Sequence, residues 1–233
     1  FLCFVGITLI FINRKKFYSD INPFYQWEIL MLIQLVLTVC GVRMHREGME
    51  QVPEGIYLNV SNHRSNFDPL VIMNAFGTTF AFLTKASNLK IPVAGPLARR
   101  NCSIIIDRDN VRESLKVILH LAGLMKDKIT CGFVYPEGTR NQKREMLPFH
   151  DGVFKAAQKA GVPVVVSASI NSDEIGRNAP FKPTHVYVKV CGVFSAEEVK
   201  SSSSHELSNK AQELIEAALA KYDSEGKFHY PKA

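Results

Sequence analysis

The apolar positions of this chain are concentrated at its front. Residues 1–12, FLCFVGITLIFI, form an unbroken apolar run, and Arg14, Lys15 and Lys16 follow closely. Twelve residues fall short of the roughly 20 that a helix needs to cross a bilayer. The chain starts at Phe1 rather than Met, and the expectation is that the original run was longer. An apolar segment with basic residues at its exit is an anchor pattern, and the positive-inside tendency puts that flank on the cytoplasmic side. No basic stretch precedes the run and no small-residue cleavage site follows it, so a secretory signal is not indicated. A second apolar stretch, Phe24–Val42, is interrupted by Glu28 and Gln34. Its leading Phe24, Tyr25 and Trp27 suit a headgroup region, which predicts a helix lying in or dipping into one leaflet. The alternative is that both segments are buried helices of a soluble fold. The expected localisation is the membrane, with the polar remainder on the cytoplasmic side.

Beyond this region, short apolar strands alternate with amphipathic helices. Ile56–Val60 reads as a strand that runs into the loop SNHRSNFDP, where Asp68 caps a helix with Pro69 in its first position. Thr79–Leu83 and Ser103–Ile106 are short strand candidates, and Asn110–Lys126 carries Val111, Leu115, Ile118, Leu119, Ala122 and Met125 at helical spacing. Thr130–Tyr135 is strand-like and leads into PEGTRN; Asp151–Ala160 is a helix ended by Gly161. Val162–Val166 is apolar throughout, as in a strand covered on both faces. His185–Val190 alternates, which suggests a place nearer an edge. Ser203 and Glu206 have capping-box spacing and open a last helix, with fraying from Asp223. The alternation implies an α/β fold: a mixed, mainly parallel sheet flanked by helices, with an N-terminal helical membrane element. The expected division is 1–44 for membrane-associated helices, 45–222 for one catalytic domain and 223–233 for a C-terminal tail.

Composition narrows the functional classes only a little. Lys+Arg 28 against Asp+Glu 22 gives a net charge of +6, which favours anionic partners such as phosphate metabolites, acidic lipids or nucleic acid. Nucleic acid is set aside, because no basic stripe is interleaved with aromatics. The five cysteines (Cys3, Cys40, Cys102, Cys131, Cys191) are scattered and include no C-x-x-C, which fits a reducing compartment. No zinc, iron–sulfur or nucleotide-phosphate motif is present, so no bound cofactor or metal is expected.

The candidate chemistry lies in three loops. His63 and Asp68 form a His-x4-Asp pair just after a strand, the usual place for α/β active sites. A turn brings Asp68 onto one ring nitrogen of His63 and leaves the other as a general base; an ordinary capping arrangement is the alternative. Tyr135-Pro136-Glu137-Gly138-Thr139-Arg140 follows a buried strand and can present backbone N–H groups and a guanidinium to an anion. Glu137 is placed to hold Arg140 by a salt bridge, unless the loop is a solvated turn. Lys85, after another strand, and Arg108, closing IIIDR, can each face a phosphate or solvent. Arg99-Arg100 reads as surface or as a contact with anionic headgroups.

Taken together, these motifs resemble the glycerolipid acyltransferase family, and within it the lysophosphatidate acyltransferases, over roughly residues 45–200. The family signature NHxSxxD is matched by Asn62, His63, Ser65 and Asp68, which implies His63 as base and Asp68 as its orienting partner. A second region is matched by Lys85, Leu89, Pro92, Gly95 and Arg108. PEGTR falls on Pro136–Arg140, which implies phosphate binding by Lys85 and Arg140, with Glu137, Gly138, Thr139 and Arg108 in support. The sequence departs from the pattern at Val166, where a second proline is usual, and at His150-Asp151-Gly152, where Lys-x-Gly or Arg-x-Gly is common. The resemblance implies transfer of an acyl chain from acyl-CoA or acyl-carrier protein to the sn-2 hydroxyl of lysophosphatidic acid, giving phosphatidic acid, with membrane phospholipids as neighbours. Glycerol-3-phosphate or another lysophospholipid is the alternative acceptor. A catalytically inactive lipid-binding protein of the same fold is the non-enzyme alternative.

Overall fold

The computed structural model describes residues 2–13, 16, 18–106, 111–141, 143 and 145–228. Its first helices are α1 (Leu2–Thr8) and α2 (Pro23–Val39). Asn22 starts α2 by accepting the Phe24 N–H at 3.0 Å, and Pro23 supplies a pre-set φ at the first position. Both helices pack into the protein: Val5, Leu9 and Ile12 bury with Ile29, Ile33 and Leu37. Glu28 is fully buried on α2, and its carboxylate accepts the Thr8 hydroxyl.

The expected N-terminal membrane element, and with it the membrane localisation, is therefore corrected. Among the described residues, no helix is long and apolar enough to cross a membrane. The seventeen residues of α2 span about 25 Å, against about 30 Å of hydrocarbon. Its buried apolar side chains, Ile29, Ile33 and Leu37, pack within the protein's own core.

Seven strands follow: β1 (Val42–Glu47), β2 (Leu58–Ser61), β3 (Ala81–Thr84), β4 (Ile104–Ile105), β5 (Gly132–Val134), β6 (Val164–Ile170) and β7 (Thr184–Phe194). They form one sheet in the order β1-β7-β6-β2-β5-β3-β4. Every pairing is parallel except β6 with β7. Strand β1 starts at Val42, the last residue of the second apolar stretch, and continues through charged positions for which the sequence predicts no element. Its alternation of Val42 and Met44 with charged residues pairs it in register with β7, which moves β7 one place in from the edge.

The remaining helices are α3 (Asp68–Phe76), α4 (Ala94–Arg100), α5 (Val111–Lys126), α6 (Lys155–Ala160), α7 (Ile175–Asn178), α8 (Ala196–Ser201) and α9 (Ser204–Ser224). Side chains of α1 to α4 cover one face of the sheet, and those of α5, α6, α8 and α9 cover the other. Strand β6 serves both faces by alternation: Val164 and Val166 point to one core, Val165 to the other. The capping box of α9 forms as its spacing suggests, with Ser203 and Glu206 bonding reciprocally. The chain stays packed past Asp223, because Phe228 is buried and its N–H returns to the Tyr222 carbonyl at 3.2 Å.

The topology has one consequence for function. Strands β6, β2, β5 and β3 are adjacent and parallel, so their carboxyl ends share one edge of the sheet. The loops carrying His63, Tyr135–Asn141 and Lys85 leave from β2, β5 and β3, at the edge where α/β proteins bind ligands.

Candidate active site

His63 lies two residues beyond β2, and Asp68 opens α3. Asp68 is fully buried, so its charge has to be met by protein donors. Its Oδ2 accepts the Arg64 N–H and the Ser65 N–H at 2.7 Å each and is 2.8 Å from His63 Nδ1. Its Oδ1 accepts the hydroxyls of Ser172 and, at 3.4 Å, Ser169. A carboxylate with these donors only accepts hydrogen bonds, so the proton sits on Nδ1 and Nε2 is the ring's basic atom.

The loop after β5 grips the backbone of the same histidine. Glu137 Oε1 accepts the His63 N–H and the Asn141 N–H donates to the His63 carbonyl, both at 2.8 Å. Burial pushes the Glu137 carboxyl above its ordinary range, while the His63 and Leu147 N–H groups and Asn141 pull it back. Glu137 thus braces the His63 backbone, and Arg140 Nη1 instead donates to Asn66 Oδ1 at 2.7 Å. The salt bridge expected between Glu137 and Arg140 does not form: Glu137 is taken up by the His63 and Leu147 N–H groups and Arg140 by Asn66. Gly138 holds φ at +70°, and a Cβ there would sit 3.0 Å from the His150 ring. A side chain here would be strained in its backbone and would press on that ring, so glycine is favoured at this turn.

His63, Thr139, Arg140 and Lys85 line one cavity of about 640 Å³. Asn66 and Asn88 add polar groups, and Ile29, Leu32, Ile33 and Val36 of α2 with Leu70 and Met73 of α3 make an apolar wall. A base, two cations and a greasy wall therefore meet in one space. Such a space can hold an amphiphile with an anionic head and activate a hydroxyl on it. Arg108 lies outside the described residues. Among the described residues, no group of three or more His, Cys, Asp or Glu side chains is placed to hold a metal ion.

Several contributors were not legible beforehand. Ser169 and Ser172 reach Asp68 across about a hundred positions of sequence. Ser169 leaves one trace, a small hydroxyl in a wholly buried strand, VVVSASI; Ser172 lies two residues past that strand and leaves none. Asn62 was matched only as a signature residue. Its side chain adds a rung between β2 and β6, accepting the Ser169 N–H at 2.8 Å and donating to the Ser169 carbonyl at 2.9 Å. Arg64 is buried against Asp173 and the Phe228 ring, contacts without a local sequence signal.

Comparison with known proteins agrees with this geometry. The family profile described as acyltransferase matches residues 43–169, the stretch from β1 to the end of β6. The 1-acyl-sn-glycerol-3-phosphate acyltransferase of Haemophilus influenzae is 26% identical over 228 residues, covering 96% of this chain and 91% of that protein. The enzyme of the same name from Salmonella typhimurium is 29% identical over 172 residues, covering 73% and 70%. The crystal structure of the 1-acyl-sn-glycerophosphate acyltransferase of Thermotoga maritima shares the fold, with a TM-score of 0.71, 24% identity and coverage of 84% of this chain and 78% of that one. Because the family profile spans more than half of its length, including both loops that hold His63, the chain belongs to the acyltransferase family.

Proposed function

We propose that this protein is a 1-acyl-sn-glycerol-3-phosphate O-acyltransferase. It moves an acyl chain from an acyl thioester, acyl-CoA or acyl-carrier protein, to the sn-2 hydroxyl of lysophosphatidic acid and forms phosphatidic acid. The observation that carries this reading is the opening of the His63–Asp68 pair into the same cavity as Arg140 and Lys85, against an apolar wall. The names of the related proteins point to the same reaction.

In this reading His63 Nε2 removes the proton from the acceptor hydroxyl as its oxygen attacks the thioester carbonyl carbon. Asp68 stabilises the imidazolium formed at that moment. The tetrahedral oxyanion collapses, the C–S bond breaks, and the leaving thiolate takes the proton from Nε2. Atoms and charge balance without an acylated side chain. Ser65 is no nucleophile in this scheme, since its Oγ accepts the Phe67 N–H at 3.1 Å within the loop. Arg140 and Lys85 hold the acceptor phosphate, with Thr139 and the Gly138 turn beside it. Fixing the phosphate aims the free hydroxyl at His63, the source of effective-molarity gains.

The test is an acceptor and donor panel with the purified protein. Lysophosphatidate, glycerol 3-phosphate and neutral-headed lysophospholipids are each offered with acyl-CoA and with acyl-carrier protein. Lysophosphatidate is expected to be fastest. Faster transfer to glycerol 3-phosphate or to a neutral-headed acceptor overturns the substrate assignment, and no transfer to any acceptor overturns the enzyme reading.

A further inference from the structure

His63 has a fourth contact besides Asp68 and the two backbone bonds. The Tyr135 ring lies flat against its imidazole, with centroids 4.0 Å apart and planes 12° from parallel. Tyr135 directly follows β5 and packs against the rings of Phe133 at 4.7 Å and Phe82 at 6.4 Å. Its hydroxyl is buried and has no hydrogen-bond partner among the described residues. The face of the ring is therefore the part of Tyr135 that meets the site.

We infer that Tyr135 is a positioning residue for the base, acting through its ring face and not its hydroxyl; this rests on the reading of His63 as base. Two physical effects support it. The Nδ1–Asp68 bond fixes one edge of the imidazole, but torsion at an sp³–sp² bond is soft, and a flat partner removes the remaining tilt. An aromatic face also attracts a cation, so the stack favours the imidazolium that develops during transfer. The charged or titratable groups around the ring are Asp68 at the start of α3, Glu137 in the loop after β5, and Arg140 and Lys85 on the cavity wall. None of them is altered by a substitution at Tyr135.

The experiment compares Tyr135→Phe and Tyr135→Leu with the parent, following kcat, both KM values and the pH profile of kcat/KM. The phenylalanine variant is expected to stay within about twofold of the parent, with the same acidic limb, because the stacking face is kept. The leucine variant is expected to lose about 10- to 100-fold in kcat with little change in either KM. Its acidic limb moves to lower pH by roughly half a unit or more. A leucine variant with parental kcat and an unmoved limb overturns the proposal, as does a phenylalanine variant as impaired as leucine. Proton NMR of the parent gives a reading that needs no folded leucine variant. Stacking shifts the His63 ring protons upfield, and resonances at ordinary histidine positions overturn it. His63→Ala run alongside separates the claims: an inactive His63→Ala beside a normal Tyr135→Leu sinks the stack alone, whereas an active His63→Ala sinks the base reading first.

Discussion

Replacing Asp68 by asparagine removes one charge and almost no volume, so it isolates what the carboxylate does. Oδ2 receives two N–H groups at 2.7 Å and the His63 Nδ1–H at 2.8 Å. The asparagine oxygen takes that position, since an NH₂ there would face three donors. The NH₂ then points at the hydroxyls of Ser169 and Ser172, which rotate to accept. Each bond to a charged acceptor is worth about 1.5–3 kcal/mol, against about 1 for a neutral pair. Softening three of them costs about 1.5–6 kcal/mol of folding stability, against about 5–15 kcal/mol for most domains. The imidazolium loses its counter-charge while its tautomer survives. A base of this kind contributes about 10²–10⁴-fold, and kcat is expected to fall within that span with KM little changed. The assay follows thiol release from acyl-CoA with lysophosphatidate as acceptor, alongside a thermal melt to show that the variant is folded. A folded Asp68→Asn protein within threefold of parental kcat refutes the reasoning.

Arg140→Ala removes the guanidinium beside Asn66 on the cavity wall. The kcat/KM for lysophosphatidate is expected to drop about 10- to 100-fold, the worth of one charge-assisted contact, while the slow reaction with an unphosphorylated acceptor stays level; equal effects on both acceptors count against a phosphate role. Burial pushes the thiols of Cys102 up to about 11 and of Cys191 up to about 12. A raised thiol pKa leaves the neutral, unreactive form at pH 8, so native-state iodoacetamide labelling of both is expected to run at least about tenfold slower than in denaturant. Cys40, Cys102, Cys131 and Cys191 lie outside the cavity lining, so replacing each singly by alanine is expected to leave acyl transfer intact; a folded alanine variant that transfers no acyl chain contradicts transfer without an acyl-enzyme.

The sequence carried the local parts of this account well. Strand-to-loop transitions at SNHRSNFD and VYPEGTRN are written in short-range patterning, so the positions of His63 and Asp68 at a sheet edge could be read directly. The pairing of β1 with β7 could not, because Val42–Glu47 carries only two apolar residues among charged ones and its partner lies about 140 residues away. The front-loaded apolar residues misled for a related reason. A run of apolar side chains records that a helix buries its surface, not against what. Here α2 buries Ile29, Ile33 and Leu37 in the protein's own core, and Ile29 and Ile33 border the cavity together with Leu32 and Val36. Long-range polar contacts left the least trace. Ser172 beneath Asp68 and Glu137 on the His63 N–H depend on loops from different strands meeting at one edge.

The central claim is that His63 passes the proton from acceptor hydroxyl to leaving thiolate. Its most direct test is phosphatidic acid formation by His63→Ala under conditions that saturate the parent with acyl-CoA and lysophosphatidate. The substitution trims a half-buried ring whose backbone stays clamped by Glu137 and Asn141, so the variant is expected to fold. A fall in kcat of at least about 10²-fold is predicted. Turnover close to that of the parent would contradict the account.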